Sequence, residues 1–163
     1  MMKITVFEVN KLMLQAAQKM NVEDDKDLHV LFGVGERTYR RWRSNHDKEP
    51  DSVSAIPERA LVHLQTLATG QCPLKPLDNV DWTTIPSEYI TNAQNYSPPP
   101  VDVLVSIVGR SGITKLPRKE IGRLIGVNWK KFSDDVSRGE ISFGTWASIL
   151  LLCGVPYQKI FHF

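Results

Sequence analysis

The segment Leu31-Phe-Gly-Val-Gly-Glu-Arg-Thr-Tyr-Arg-Arg-Trp42 decides the fold, because it joins a tight-turn signal to an aromatic anchor and a cluster of cations. Gly33 can adopt a positive φ at no steric cost, so one short helix can end there and turn directly into the next. Tyr39 and Trp42 lie three residues apart, on the same face of the second helix. The segment therefore predicts two short, closely crossing helices, of which the second runs from about Gly35 to Ser44.

The same pattern returns over 124–135, which read Leu-Ile-Gly-Val-Asn-Trp-Lys-Lys-Phe-Ser-Asp-Asp. When the two segments are aligned without a gap, Gly33 falls on Gly126 and Tyr39 falls on Phe132. A glycine at the turn and an aromatic residue six positions later thus occur twice. We interpret the chain as a diverged tandem repeat.

A second pair of matching segments begins at Ile56 and Ile141, and each leads into an apolar helix that stops at a glycine, Gly70 or Gly154. The turn glycines are 93 residues apart (126 − 33), whereas these segments are 85 apart (141 − 56). The first copy therefore carries eight extra residues, which fall within 45–55.

The stretch between the copies, 71–100, is rich in proline, which lacks an amide hydrogen and fixes φ, so a long helix is excluded there. It also holds more apolar side chains than a free linker tolerates: Trp82, Ile85, Tyr89, Ile90 and Tyr96. We expect a first domain over 1–70, an extended connector over 71–100 that packs against one or both domains, and a second domain over 101–163.

Hydrophobic spacing, proline starts and glycine stops predict four helices in each copy. In the first copy we expect helices over 6–16, 25–32, 35–44 and 57–70. In the second copy we expect helices over 101–108, 117–125, 128–137 and 143–153.

Composition agrees with a packed globular protein, since 42% of the 163 residues are hydrophobic and 23% are charged. The longest apolar stretch, 146–153, is too short to span a membrane and predicts a buried helix. The N-terminus lacks the pattern of a signal peptide, so we expect a cytoplasmic protein in which Cys72 and Cys153 are free thiols.

The chain resembles the Cro and phage-repressor class of helix-turn-helix proteins, particularly small phage and plasmid regulators. The resemblance is carried by Gly-Val-x-x-Arg-Thr-Tyr-Arg-Arg-Trp at 33–42 and by Ile-Pro at 56–57 before an apolar helix. The second copy matches through Gly126-Val127, Phe132, Gly139-Glu140-Ile141 and Trp146. The fold expected is all-α, with two tandem small helical bundles, each containing a helix-turn-helix, joined by the proline-rich connector.

This resemblance implies that the third helix of the first copy enters the major groove of double-stranded DNA. Four residues would face the bases there: Glu36, Arg37, Arg40 and Arg41. Three others are placed for phosphates: Thr38, Arg43 and Lys48. Ser44 lies on the same outward face. Arginine suits both tasks, because its planar fork can bridge the acceptor pair of guanine or hold phosphate oxygens.

The second copy has a different chemistry. Its candidate DNA contacts are Arg118, Asn128, Lys130 and Lys131, but Asp134 and Asp135 would repel phosphates. Two interpretations remain open. In the first, both copies bind DNA. In the second, the second copy forms a homodimer or binds a partner protein. The apolar tail over 155–163 favours the second interpretation if that tail is exposed. The alternative is that the tail folds back on its own core.

Other chemistries have no support in the sequence. The four histidines show no metal-ligand spacing with the cysteines, and no phosphate loop or nucleophile with a nearby base occurs. We therefore expect no enzyme, cofactor or metal, and a sequence-specific transcription regulator of a phage, plasmid or other mobile element that acts by occupying its operator. The alternatives are a protein-interaction module that inhibits a host system and an accessory factor for recombination or DNA maintenance.

Overall fold

The computed structural model describes residues 3–43 and 51–163. Within these ranges the regular elements are helices, and β pairing is limited to two isolated bridges, so the all-α prediction is confirmed. The α-helices are α1 Val6–Lys19, α2 His29–Phe32, α3 Glu36–Trp42, α4 Glu58–Thr69, α5 Val101–Ile107, α6 Arg118–Ile125, α7 Trp129–Arg138 and α8 Phe143–Leu152. Short 3₁₀ helices cover Asp25–Leu28, Trp82–Thr84, Ser87–Tyr89, Ala93–Asn95 and Tyr157–Lys159.

The chain divides into two compact units, the first ending at Pro73 and the second running from Leu74 to His162. Most of the proline-rich stretch, from residue 74 onward, belongs to the second unit. No helix formed by the described residues is both long enough and apolar enough to cross a lipid bilayer.

In the first unit, α1 packs along α4. α1 begins with a capping box, in which the Thr5 hydroxyl accepts from the Glu8 amide at 3.2 Å and the Glu8 carboxylate accepts from the Thr5 amide at 2.8 Å. Val9, Met13 and Ala16 are fully buried on the inner face, at the spacing that the sequence indicated. α4 ends at Gly70, which has a φ of 75°.

In the second unit, α8 is buried along its whole length, as the apolar run predicted. α6 packs against α7 and α8, and α5 packs against α7. The proline-rich stretch lies on α8 and its flanks: the Trp146 indole donates to the Tyr89 carbonyl at 2.7 Å, and the Tyr96 hydroxyl donates to the Ile141 carbonyl at 2.5 Å. These bonds satisfy polar groups that would otherwise be costly inside a core.

Residues 155–162 of the C-terminal tail belong to the second unit. Val155, Ile160 and Phe161 are buried, and the Phe161 ring meets the Phe143 ring edge-on at a centroid distance of 6.4 Å. This is the alternative in which the tail folds back on its core. The homodimer was predicted on the condition that the tail is exposed, and these three buried side chains do not support it. It therefore stays a prediction.

Helix ends follow the predicted signals closely. We expected prolines and an asparagine at helix starts. Pro117 and Asn128 lie there as N-caps, one position before the first helical residue of α6 and of α7. The helix predicted over 25–32 is divided into a 3₁₀ turn and α2, and the Asp24 carboxylate caps the 3₁₀ turn by accepting from the Lys26 amide at 3.0 Å.

Candidate nucleic-acid interface

A three-residue turn joins α2 to α3. Gly33 has a φ of 66°, its amide donates to the Val30 carbonyl at 3.2 Å, and the Val34 amide donates to the His29 carbonyl at 3.3 Å. This pair of bonds satisfies two carbonyls at the end of α2, where helical partners run out. These bonds therefore leave the backbone of the turn little freedom and fix the direction in which α3 leaves α2.

The turn from α6 to α7 has the same construction. Gly126 has a φ of 74°, its amide donates to the Arg123 carbonyl at 3.3 Å, and the Val127 amide donates to the Gly122 carbonyl at 3.0 Å. The repeat seen in the sequence thus extends to the hydrogen bonds of the two turns.

His29 holds the first turn from its side. Its Nδ1 lies 2.9 Å from the Val34 carbonyl oxygen, and the ring is half-buried. A carbonyl can only accept, so Nδ1 carries the proton in this contact. Gly122 takes the equivalent place in the second turn, where a Cβ would come within 3.1 Å of the Trp129 Cα.

An aromatic cluster fixes the inner face of α3. Tyr39 and Trp42 are buried, and their rings and that of Phe32 pack with one another at centroid distances between 5.8 and 6.1 Å. The Tyr39 hydroxyl is buried with no described residue in hydrogen-bonding range, and burial raises its pKa above the ordinary value. The spacing correctly predicted that these two aromatic residues face inward.

The outer face of α3 is exposed and cationic. The side chains on it are Arg37, Thr38, Arg40 and Arg41. Glu36 is half-buried at the start of the helix, and its carboxylate accepts from the Arg40 guanidinium at 2.5 Å. Arg40 therefore has an acidic neighbour on its own helix, one turn away.

Two contacts hold the end of α3. The Arg43 guanidinium donates to the largely buried Asp25 carboxylate at 2.7 Å, and the Ser54 hydroxyl donates to the Trp42 carbonyl at 2.9 Å. Arg43, predicted as a phosphate contact, is thus engaged by a carboxylate next to the core. Ser44 and Lys48 lie outside the described residues.

Most of the candidate residues in the second unit are engaged locally. The Asn128 side chain caps α7 by accepting from the Lys130 and Lys131 amides, both at 3.1 Å. Arg118 donates to the Ser137 hydroxyl at 2.7 Å, and Lys131 pairs with Asp135 at 2.7 Å. Lys130 is exposed and has no ion-pair partner among the residues described.

Trp129 is an exposed aromatic residue that the sequence patterns did not single out. Its side chain is 41% exposed at the start of α7, with Lys119 and Lys130 ammonium groups 5.5 and 5.9 Å from the ring centre. Its position three residues before Phe132 favours burial, so periodicity gives no signal of its exposure. Lys130 and Lys131, which follow Trp129 directly in the sequence, are the only local sign of a functional role.

Comparison with known protein families, curated sequences and solved structures gives no match to this chain. In the described residues no cluster of three histidine, cysteine or acidic side chains is arranged to hold a metal ion.

Proposed function

We propose that the first unit binds double-stranded DNA through α3 and that the protein is a sequence-specific transcription regulator. One observation carries this proposal: α3 turns Arg37, Arg40 and Arg41 outward while its aromatic residues are buried on the opposite face. An α-helix with its side chains is about 10–12 Å across, which suits a major groove about 12 Å wide. In this proposal, α2 and α3 form a helix-turn-helix with α3 as the recognition helix.

The ion pair between Arg40 and Glu36 does not oppose this role. Both side chains are substantially exposed, and an exposed pair on a helix contributes only about 0–1 kcal/mol. A bidentate contact between arginine and guanine contributes roughly 1–3 kcal/mol of discrimination. Arg40 can therefore exchange Glu36 for a base edge, and Glu36 can then accept from a neighbouring cytosine amino group.

Arg43 has a supporting role in this proposal. Its bond to the shielded Asp25 ties the end of α3 to the preceding 3₁₀ turn, so the helix is rigid before DNA arrives. Thr38 keeps its predicted role as a phosphate contact, and Arg37, which was predicted to face the bases, is reassigned in this proposal to a phosphate contact, which positions a protein without reading sequence.

The direct test is the double substitution Arg40→Ala with Arg41→Ala, measured by gel shift on sites selected from a random duplex library. We expect specific binding to be lost while circular dichroism shows unchanged helicity, because both side chains are exposed. The matched control is Lys11→Ala with Lys19→Ala, which removes two exposed cations from α1 of the same unit. Equal affinity of the arginine variant and the wild type would refute the assignment of α3.

Regulation by operator occupancy is the mechanism that fits a small helical reader of this kind, because a protein covering a promoter excludes or recruits polymerase. An origin in a phage, plasmid or related element is proposed on the resemblance to small phage and plasmid regulators.

A further inference from the structure

A surface in the second unit combines an aromatic ring with two lysines that have no carboxylate partner among the described residues. We call it the Trp129 platform, and it comprises Trp129 with Lys119, Lys130, Pro117 and Val127. The indole forms part of the wall of an open cavity of about 370 Å³, which Arg123, Glu120 and Asn128 also line. This volume lies at the lower end of the range of small-ligand sites and suits a group the size of one nucleotide base.

Neighbouring residues fix the backbone of Trp129. The Cα of Trp129 lies so close to Gly122 that an added Cβ there would approach within 3.1 Å. Asn128 caps the same turn through two backbone amides, and Phe132, one turn later, is buried. α7 therefore presents the indole outward from a fixed start rather than from a mobile loop.

The charge beside the ring is positive. Arg123 is paired with Glu120, and Lys131 is paired with Asp135. Lys119 and Lys130 have no carboxylate in ion-pair range among the residues the structure describes, and both ammonium groups lie within 6 Å of the ring centre. A ligand that carries both a flat π system and anionic groups matches this arrangement, because its anionic groups attract the two ammonium groups that lie over the ring and its π system can take their place on the indole.

We infer that the Trp129 platform binds single-stranded nucleic acid, with an unpaired base stacked on the indole and Lys119 and Lys130 contacting the flanking phosphates. Aromatic stacking and phosphate contacts are the two interactions by which proteins bind single strands with little regard to sequence. In an intact duplex the base faces are covered by their neighbours, so a duplex offers the indole no partner. This inference does not depend on α3 binding DNA.

The test uses the full-length chain carrying Arg40→Ala and Arg41→Ala, so that the proposed duplex site is silent, and a fluorescently labelled oligonucleotide of eight thymidines. Fluorescence anisotropy should show binding that weakens about tenfold with Trp129→Ala, since stacking of one base supplies an effect of that order. Trp129→Phe should retain most of the affinity because it keeps a π face. Trp129→Leu should resemble Trp129→Ala because it keeps only the apolar surface.

Charge and specificity controls complete the test. Lys119→Gln and Lys130→Gln should each reduce the slope of log affinity against log salt by about 0.7, as expected for one phosphate contact on a single strand. Val105→Ala, which trims another exposed apolar residue of this unit, should leave binding unchanged. Absence of oligonucleotide binding, or equal binding by the Arg40→Ala, Arg41→Ala parent and its Trp129→Leu variant, would overturn the inference. So would a wild-type dimer in solution that Trp129→Ala converts to a monomer, because the surface would then be a self-contact.

Discussion

At the scale of single residues, the Tyr39 hydroxyl is a point of weakness in the first unit. It is buried without a described hydrogen-bond partner, and the repeat places phenylalanine, Phe132, at the corresponding position of the second unit. An unsatisfied buried hydroxyl costs on the order of 1–3 kcal/mol relative to a satisfied one. Spacing in the sequence predicted that the ring is buried, but the environment of its oxygen depends on neighbours that only the fold brings together.

Replacing Tyr39 with phenylalanine should therefore raise the free energy of unfolding of the first unit by about 1 kcal/mol, because the ring packing is kept and the unpaired oxygen is removed. Urea denaturation measures the change. Tyr39→Ala is the control, and it should lower stability by about 3–5 kcal/mol through the cavity it leaves. A loss of stability in the phenylalanine variant would show that the hydroxyl has a partner.

His63 makes the first unit sensitive to acid. The side chain is 1% exposed within α4, and burial, helped by the nearby Arg59 charge, lowers its pKa from 6.5 to about 3. Between these two pH values the unfolded chain binds a proton that the folded chain does not, so stability falls as pH falls below about 6.5. Near neutral pH the contribution is fully present.

We expect the first unit to lose about 2 kcal/mol of unfolding free energy between pH 7 and pH 5 through this histidine alone. Denaturation at the two pH values, followed through the buried Trp42, checks the figure. In the His63→Gln variant that share of the pH dependence should disappear, whatever its absolute stability. A pH profile identical to the wild type would contradict the account of His63.

At the scale of helices, the two turns differ at one informative position. Asn128 caps α7 through its side chain, whereas Gly35 at the start of α3 provides no side-chain cap. Gly35 has an ordinary φ of −70°, and a Cβ added there would meet nothing within 4 Å. The first unit thus has room for the cap that the second unit already uses.

Gly35→Asn should stabilise the first unit by about 0.5–1 kcal/mol, because it adds a cap and reduces the freedom of the unfolded chain. Thermal unfolding of the full chain provides the measurement. Asn128→Gly is the reciprocal control and should destabilise the second unit by a similar amount, because it removes a cap and increases the freedom of the unfolded chain. Destabilisation by Gly35→Asn would mean that α3 does not start as described.

Helix positions were largely predictable from local signals. The turn glycines Gly33 and Gly126, the helix stop at Gly70 and the buried run of α8 all follow from residues close together in sequence. The exposure of Trp129 was not predictable in this way, because it depends on the close approach of its backbone to Gly122 on another helix.

At the scale of the whole molecule, the sequence indicated two copies, but it did not specify how the proline-rich stretch packs. That stretch was expected to be extended and to pack on one or both domains. In the structure it contains three short 3₁₀ helices and donates or accepts hydrogen bonds with residues far along the chain, such as the pair Tyr89 and Trp146. Such bonds join residues 57 positions apart and leave no periodic trace in sequence.

The candidate DNA-binding residues of the two units differ in how many of them have local partners. In the first unit the predicted arginines of α3 are exposed together on one face, apart from Arg43, which Asp25 holds. In the second unit Arg118, Asn128 and Lys131 are engaged by neighbouring groups. The sequence indicates that these cations lie on helices, but the fold decides which of them have carboxylate or carbonyl partners.

The central claim, that the guanidinium face of α3 meets the phosphates and bases of a duplex, is tested most directly by the salt dependence of duplex binding. Log affinity for random duplex DNA should fall linearly with log salt, with a slope of roughly −0.9 for each phosphate neutralised, and the slope should become shallower in the Arg37→Ala variant. An affinity that does not change with salt, or a slope that is the same with and without the α3 arginines, would contradict it.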